Sequence, residues 1–340
     1  MGGRWSLVQI QSPRPFLDVL NRWPGPVNLE LEPESIPRAS GREAGTAPRG
    51  TDAPPSMFAT IGYLTADLAV RVLPARVVNT LARSLARWAF ALDLPARRAL
   101  EANLARLVSH ARARPGRSGA ASREIAARAA GAAPAREAFE HFALSIADFL
   151  RLSRLERAVL LEAVEVRGAE YLAAACESRR GVIVLSAHIG SWEWGAAYLA
   201  TRGKVVHLAA RPHPSRWVER FFERRRVGWG VRMLRRRPLW LAAARALRRG
   251  EWVAMMGDRP APGLRGTPCA WAAALARRTG AVVLPAMMLR LEGGRFAACF
   301  EAPLSPESCR EGGYRDALLR HVAGAPGQWC AFEPLPEALA

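Results

Sequence analysis

The chain has 340 residues, half of them apolar and 23% charged, a composition that suits a globular protein with a sizeable core and excludes a low-complexity or collagen-like one. Its 49 Lys and Arg against 30 Asp and Glu leave a formal charge of +19, and Lys204 is the sole lysine. A surplus of this size favours polyanionic partners, whether nucleic acid, anionic lipid headgroups or an acidic carrier protein.

Residues 1–56 are rich in Pro, Gly, Ser and charge, as in Glu32-Pro33-Glu34 and Pro54-Pro55. Such a stretch buries too little apolar surface to order itself, so a disordered extension is expected there. Met57 opens a different segment and is a candidate start of the biological chain. Over 57–157 the pattern is helical. One helix is expected from Pro74, a residue suited to the first helical position, to Leu92. Its apolar residues Val77, Val78, Leu81, Leu85 and Ala89 recur at three- and four-residue steps with Arg76, Arg83 and Arg87 among them. Two readings fit such a helix: it lies on a membrane with guanidinium groups at the phosphates, or it packs on its own domain. A Gly/Ser/Pro break at 115–121 precedes further helix through Phe149 and Leu152. No run of roughly eighteen apolar residues occurs, so no transmembrane helix is expected, and the N-terminus lacks the pattern of a secretion signal.

Residues 158–335 change rhythm to strand, turn and helix. Strands are expected at 181–186, at 205–210, at 252–256 after a helix over 239–249 that stops at Gly250, and at 281–285 running on through 289, with an antiparallel edge at 295–300. Strands alternating with helices predict an α/β fold: a central, mostly parallel sheet flanked by helices, with an N-terminal helical, membrane-associating segment. The cysteines, Cys176, Cys269, Cys299, Cys309 and Cys330, are widely spaced and show no metal-ligand pattern, so reduced thiols and no metal are expected. Six tryptophans, Trp192, Trp194, Trp217, Trp229, Trp240 and Trp252, fall in one stretch, where core, lipid-interface and acyl-groove positions are all open to them.

The chemistry concentrates in Ser186-Ala-His188-Ile-Gly190-Ser191-Trp-Glu193. The His lies just past a buried strand, where ligand sites of α/β sheets form, and Ser191 is placed to cap a following helix. On one continuous helix the His188 and Glu193 side chains would stand about 140° apart. They can meet only if His188 belongs to the turn and Glu193 to the first helical turn. Glu193 would then accept from one imidazole nitrogen and leave the other as a general base. A structural His satisfied by local backbone is the competing reading. Ser186 and Ser191 fit no nucleophile elbow.

His188-x4-Glu193 after a Val-rich strand resembles the signature of the lysophospholipid acyltransferase superfamily, and in particular the bacterial lipid A biosynthesis (late lauroyl/myristoyl) acyltransferases. The resemblance is carried further, in order, by Asn103-Leu104, by Ala135 to Phe139 and Asp148-Phe149, and by Ala210-Arg211-Pro212. Leu247-Arg-Arg-Gly250, Met256-Gly257-Asp258-Arg259, the run from Thr279 to Pro285, and Pro326-Gly327-Gln328-Trp329 complete it. Two departures are evident: Arg259 stands where the family usually has Gln, and Cys330-Ala-Phe-Glu-Pro replaces its aromatic-rich His-Arg ending.

The resemblance implies transfer of a fatty acyl group from an acyl thioester, acyl carrier protein or acyl-CoA, to a hydroxyl of an anionic membrane lipid of the lipid A-precursor type. It implies no cofactor and a place at the cytoplasmic face of the inner membrane. His188 and Glu193 are the expected catalytic pair, with Arg211, Asp258, Arg259 and Gly190 expected to bind substrate. Backbone N–H groups near Gly190 and the Arg211 guanidinium are the candidate oxyanion donors. The runs 224–226 and 235–237 are candidate docking sites for an anionic headgroup or carrier protein, or simply solvated faces. Alternatives are a relative acting on another lysophospholipid or glycolipid, an arginine-rich nucleic-acid-binding protein, and a scaffold without activity.

Overall fold

The computed structural model describes residues 57–335 apart from 114–127, 130, 211, 214, 236–237 and 260–266. The expectation for residues 1–56 therefore lies outside the described residues.

The centre of the fold is β2 (Val182–Ser186), whose Val-Ile-Val-Leu run is wholly buried. β-branched side chains fit a pleated strand covered on both faces. Its partners are β5 (Trp252–Met256) and the first half of β6 (Val282–Arg290), both parallel to it. Successive residues serve opposite faces. Ile183, Leu185, Val253 and Met255 join one apolar cluster, while Val182, Val184, Trp252 and Ala254 join the other. Each such fully buried side chain contributes roughly 1.5–3 kcal/mol.

The full order is β1-β7-β6-β2-β5-β3-β4, with β1 at Val164–Arg167, β3 at Val206–Ala209, β4 at Val231–Met233 and β7 at Phe296–Phe300. Only the β6–β7 pairing is antiparallel. The fold is thus the α/β arrangement expected. One detail differs: β7 is antiparallel to β6 but is not the edge, because β1 pairs with its far side. The edge strands β1 and β4 are four and three residues long, too short to show alternation in the sequence.

Helices cover both faces. Ahead of β1 run α1 (Met57–Val72), α2 (Ala75–Ala91), α3 (Pro95–Ala113) and α4 (Ala132–Leu152). The short α5 (Arg157–Glu162) leads into β1, and α6 (Ala169–Glu177) and α7 (Trp192–Ala200) flank β2. After β3 come α8 (Arg216–Gly228), α9 (Leu239–Arg248) and α10 (Pro268–Thr279). The chain closes with α11 (Pro306–Arg310) and α12 (Gly313–Gly324). α4 is the brace between layers, since Phe139 and Ala143 enter one cluster and Phe149 and Leu150 the other.

The apolar repeat of α2 divides into two faces rather than one. Val78, Ala86 and Ala89 are buried against the domain, whereas Val77, Leu81, Leu85 and Trp88 stand exposed. Pro74 is the residue before α2 rather than its first. α1 carries a matching exposed stripe of Ile61, Leu64, Leu68 and Val72. No helix among the described residues is long and apolar enough to cross a membrane.

The carboxyl ends of β2 and β5 meet at a close approach. Gly257 N–H donates to Ser186 O at 2.7 Å, and the Tyr314 hydroxyl donates to the same oxygen at 2.6 Å. A Cβ at Gly257 would lie 2.4 Å from the Tyr314 ring. Tyr314 is completely buried and cannot swing aside. Gly257→Ala is therefore expected to lower the unfolding free energy by about 1–3 kcal/mol, read as a fall in the urea midpoint without a change in slope.

Candidate active site

Three chain segments meet at the exit of the central strands. The first is the turn between β2 and α7. Gly190, at φ +60°, packs its backbone against β6; a Cβ there would sit 2.0 Å from Met288 O, so only glycine fits. Gly190 N–H donates to Gln328 O, Ser191 N–H donates to Met288 O, and the Ser145 hydroxyl of α4 donates to Gly190 O at 2.6 Å. The turn is thereby fixed from both sides, and it holds His188 at the carboxyl end of the central strand.

The second segment is the turn after β5, which carries Asp258. Its carboxylate is fully buried and accepts three hydrogen bonds. His188 Nδ1 lies 2.9 Å from Oδ1, His188 N–H donates to Oδ2 at 2.9 Å, and the Trp329 indole Nε1–H donates to Oδ2 at 3.2 Å. The third segment is 326–333, which supplies Trp329. Gln328 locks this segment to β6 by accepting from Arg290 N–H and donating to Arg290 O, both at 2.8 Å. An amide side chain here imitates one rung of a sheet ladder.

The partner of His188 is therefore Asp258, and not Glu193 as expected from the sequence. Glu193 is in the first turn of α7 as predicted, but its carboxylate faces Arg226 of α8, at 2.5 and 3.0 Å. A guanidinium fork satisfies both carboxylate oxygens at once. In the first turn, the residue five places along points toward α8 rather than back over the His turn. Ser191 occupies the position before α7, but its side chain makes no cap; the buried hydroxyl has no partner among the described residues.

Electrostatics assign protons within the pair. For His188, burial first and the Arg259 charge second lower the proton affinity, against the opposing pull of Asp258. For Asp258, burial works to raise the pKa, but the His188 contacts and Arg259 outweigh it and hold the carboxyl below its usual value. An ionised Asp258 can only accept, so Nδ1 carries the hydrogen and the Nε2 lone pair is left available. Nε2 has no partner among the described residues, and the His188 side chain keeps 13% of its surface open. Around the ring stand Trp192, edge-on at 5.2 Å between centroids, and the charges of Arg259 and Glu333.

Of the expected substrate-binding residues, Asp258 is instead the orienting carboxylate and Arg259 lies beside the imidazole, where it also donates to Cys330 O. The backbone N–H groups of Gly190 and Ser191 are consumed inside the fold, which removes them as oxyanion donors. Arg211 lies outside the described residues. Trp329, Trp192, Glu333 and Arg226 received no individual role from the sequence. For Trp329 the signal lay in the Pro326-Gly327-Gln328-Trp329 element; for Arg226 it was one arginine inside a run of three. That run divides: Arg225 pairs with Asp67 of α1, Arg226 pairs with Glu193, and Arg224 is exposed. Arg235 is held by Glu219 and Glu223, and residues 236–237 lie outside the described residues. The tryptophans divide too. Trp194, Trp229 and Trp252 are buried, Trp192 borders the His, and Trp217 and Trp240 are exposed. All five cysteines are free thiols.

A neutral imidazole at a strand exit, oriented by a buried carboxylate and bordered by a guanidinium, is an arrangement suited to general-base chemistry. Residues 53–313 match the family model of the bacterial lipid A biosynthesis acyltransferases, and the chain belongs to that family: it is an acyltransferase. A comparison with curated proteins finds no match. Gln328 and Trp329 fall beyond the matched residues, although they complete the setting of Asp258.

The sign of the pH effect on stability follows from His188. Its proton affinity is lower in the fold than in the unfolded chain, so its contribution is full above the ordinary value of 6.5 and is lost as pH falls below it. His188→Asn should therefore flatten the acid side of the stability profile. Between pH 6.5 and 5 the loss of unfolding free energy should shrink by up to about 1.4 kcal/mol per pH unit, as measured by urea unfolding at each pH.

Proposed function

We propose that the enzyme moves a fatty acyl group from an acyl thioester of an acidic acyl carrier protein, or of coenzyme A, to a hydroxyl of a lipid A-type precursor. The His188–Asp258 contact carries this reading, because it leaves a neutral ring nitrogen at an open edge. Nε2 takes the proton of the acceptor hydroxyl as its oxygen attacks the thioester carbonyl. A C–O bond forms, the tetrahedral intermediate collapses with cleavage of the C–S bond, and the imidazolium returns the proton to the departing thiolate. Asp258 stabilises the imidazolium without itself taking the proton, as a triad carboxylate does. With the N–H groups of Gly190 and Ser191 occupied, Arg259, whose charge acts on the imidazole, is the candidate donor to the oxyanion, a type of contribution worth about 3–4 kcal/mol. Glu193 and Arg226 act as positioning residues that hold α7, and with it Trp192, against α8.

The acceptor is a membrane lipid, and the enzyme works at the cytoplasmic face of the inner membrane. Support comes from the ridge formed by α1 and α2. Ile61, Leu64, Leu68, Val72, Val77, Leu81, Leu85 and Trp88 are all at least 39% exposed. Arginines flank them, as an amphipathic surface for anionic lipid requires.

His188→Ala should abolish acyl transfer, and Asp258→Asn should lower kcat by about 10²–10⁴ while leaving the fold intact; Glu193→Gln should cost less than Asp258→Asn. Full activity of purified His188→Ala protein in an assay with acyl carrier protein thioester and lipid acceptor would refute the mechanism. Mass spectrometry of lipids from a deletion strain should show the loss of one acyl group from lipid A-type species. Replacing Leu81 and Leu85 together by Asp should lower partition onto neutral phosphatidylcholine vesicles at least about ten-fold, read by flotation.

A further inference from the structure

Apart from the His188 site lies an open cavity of about 460 Å³ between the ends of α1, α4 and α8. Arg71, Arg157, Arg224 and Arg225 line it, together with Leu155 and Trp229. One carboxylate offsets these four guanidinium groups: Asp67, shared by Arg71 and Arg225. Arg157 and Arg224 are exposed and make no ion pair among the described residues. The nearby acids are engaged elsewhere or stand outside, since Glu223 is held by Arg235 and Glu156 does not line the cavity. Arg225 is nine-tenths buried, and its Nε has no hydrogen-bond partner among the described residues. Its guanidinium donates to Phe221 O and to Asp67 and stacks on the Phe221 ring, so four guanidinium groups around one carboxylate leave the cavity wall short of anionic acceptors.

The position of the cavity separates it from the reaction centre. Ser145 of α4 holds the catalytic turn through Gly190 O. Leu152, which lines the cavity, is seven residues on, about 10 Å farther along the helix axis. Its chain neighbourhood is apolar as well as basic. Val72 follows Arg71, Val159 lies two residues past Arg157, and Val227 precedes Gly228, and these valines are 66%, 46% and 56% exposed. Exposed valines close in sequence to the lining arginines suit a lipid phosphate, which enters with acyl chains beside it.

We propose that this cavity binds the phosphate headgroup of an anionic membrane lipid, separately from the acyl acceptor, and so seats the enzyme on the bilayer. The choice of occupant rests on the membrane reading of the α1–α2 ridge; the phosphate chemistry rests on the arginines alone. The site orients the protein through planar, forked donors suited to phosphate oxygens.

The test measures flotation of the full chain with vesicles of phosphatidylcholine alone and with phosphatidic acid added. It reads binding and not turnover, so it stands or falls apart from the catalytic mechanism. Arg157→Ala/Arg224→Ala should bind neutral vesicles as the unaltered chain does but lose about thirty-fold on acidic ones. Arg245→Ala/Arg248→Ala removes the same charge from the exposed side of α9 and should lose much less. Equal losses in both double variants would show diffuse charge and overturn the proposal. So would Arg157/Arg224-dependent calorimetric binding of inorganic phosphate without any effect on vesicles, which would make a free anion the ligand. Arg157/Arg224-dependent binding of an acidic carrier protein, with vesicle binding unchanged, would likewise overturn it.

Discussion

A carboxylate removed from water must be surrounded by donors or take up a proton. Asp258 meets that demand with the backbone N–H and ring of His188 and the indole of Trp329, and this small network sets everything around it. The two His188 contacts fix both where the turn leaves β2 and which way the ring faces. Trp329 requires the segment 326–333 to fold back against β6, which Gln328 accomplishes with its paired bonds to Arg290. Gly257 and Gly190 are where the backbone passes too close for a side chain, so the two turns bearing Asp258 and His188 can touch.

Much of the scaffold was legible in the sequence because buried parallel strands announce themselves. The runs 182–185, 252–256 and 282–289 are unbroken in apolar character. β1 and β4 were not legible, since three or four residues with one buried position carry no periodicity. The single apolar face expected for α2 was two faces, a distinction that spacing alone cannot make when Val77 and Val78 stand side by side. His188 was legible from its place after a strand, and the family from the ordered motifs. The partner of His188 was not, because Glu193 is near in sequence and Asp258 is seventy residues away. Short spacing suggested a pair, and three-dimensional convergence of two strand ends supplied a different one.

Glu193 nevertheless keeps a structural task. Its fork with Arg226 joins the first turn of α7 to α8, while the adjacent Arg225 joins α8 to Asp67 of α1. One arginine run thus connects the helix beside the reactive imidazole to the helix bearing the exposed apolar stripe. The surplus of arginine over acid is partly spent on such internal ties, as with Arg83 and Arg87 on Glu140 or Arg290 on Asp148. It is not one undivided basic surface.

The dependence of Asp258 on Trp329 also bears on the order of events during synthesis. All seven strands of the described sheet have been synthesised once Phe300 is made, and α12 follows by Gly324. The indole arrives only afterwards, seventy-one residues behind the carboxylate it serves. A nascent chain can therefore carry every strand of the described sheet and both members of the His–Asp pair while the third donor to the buried carboxylate is still to come.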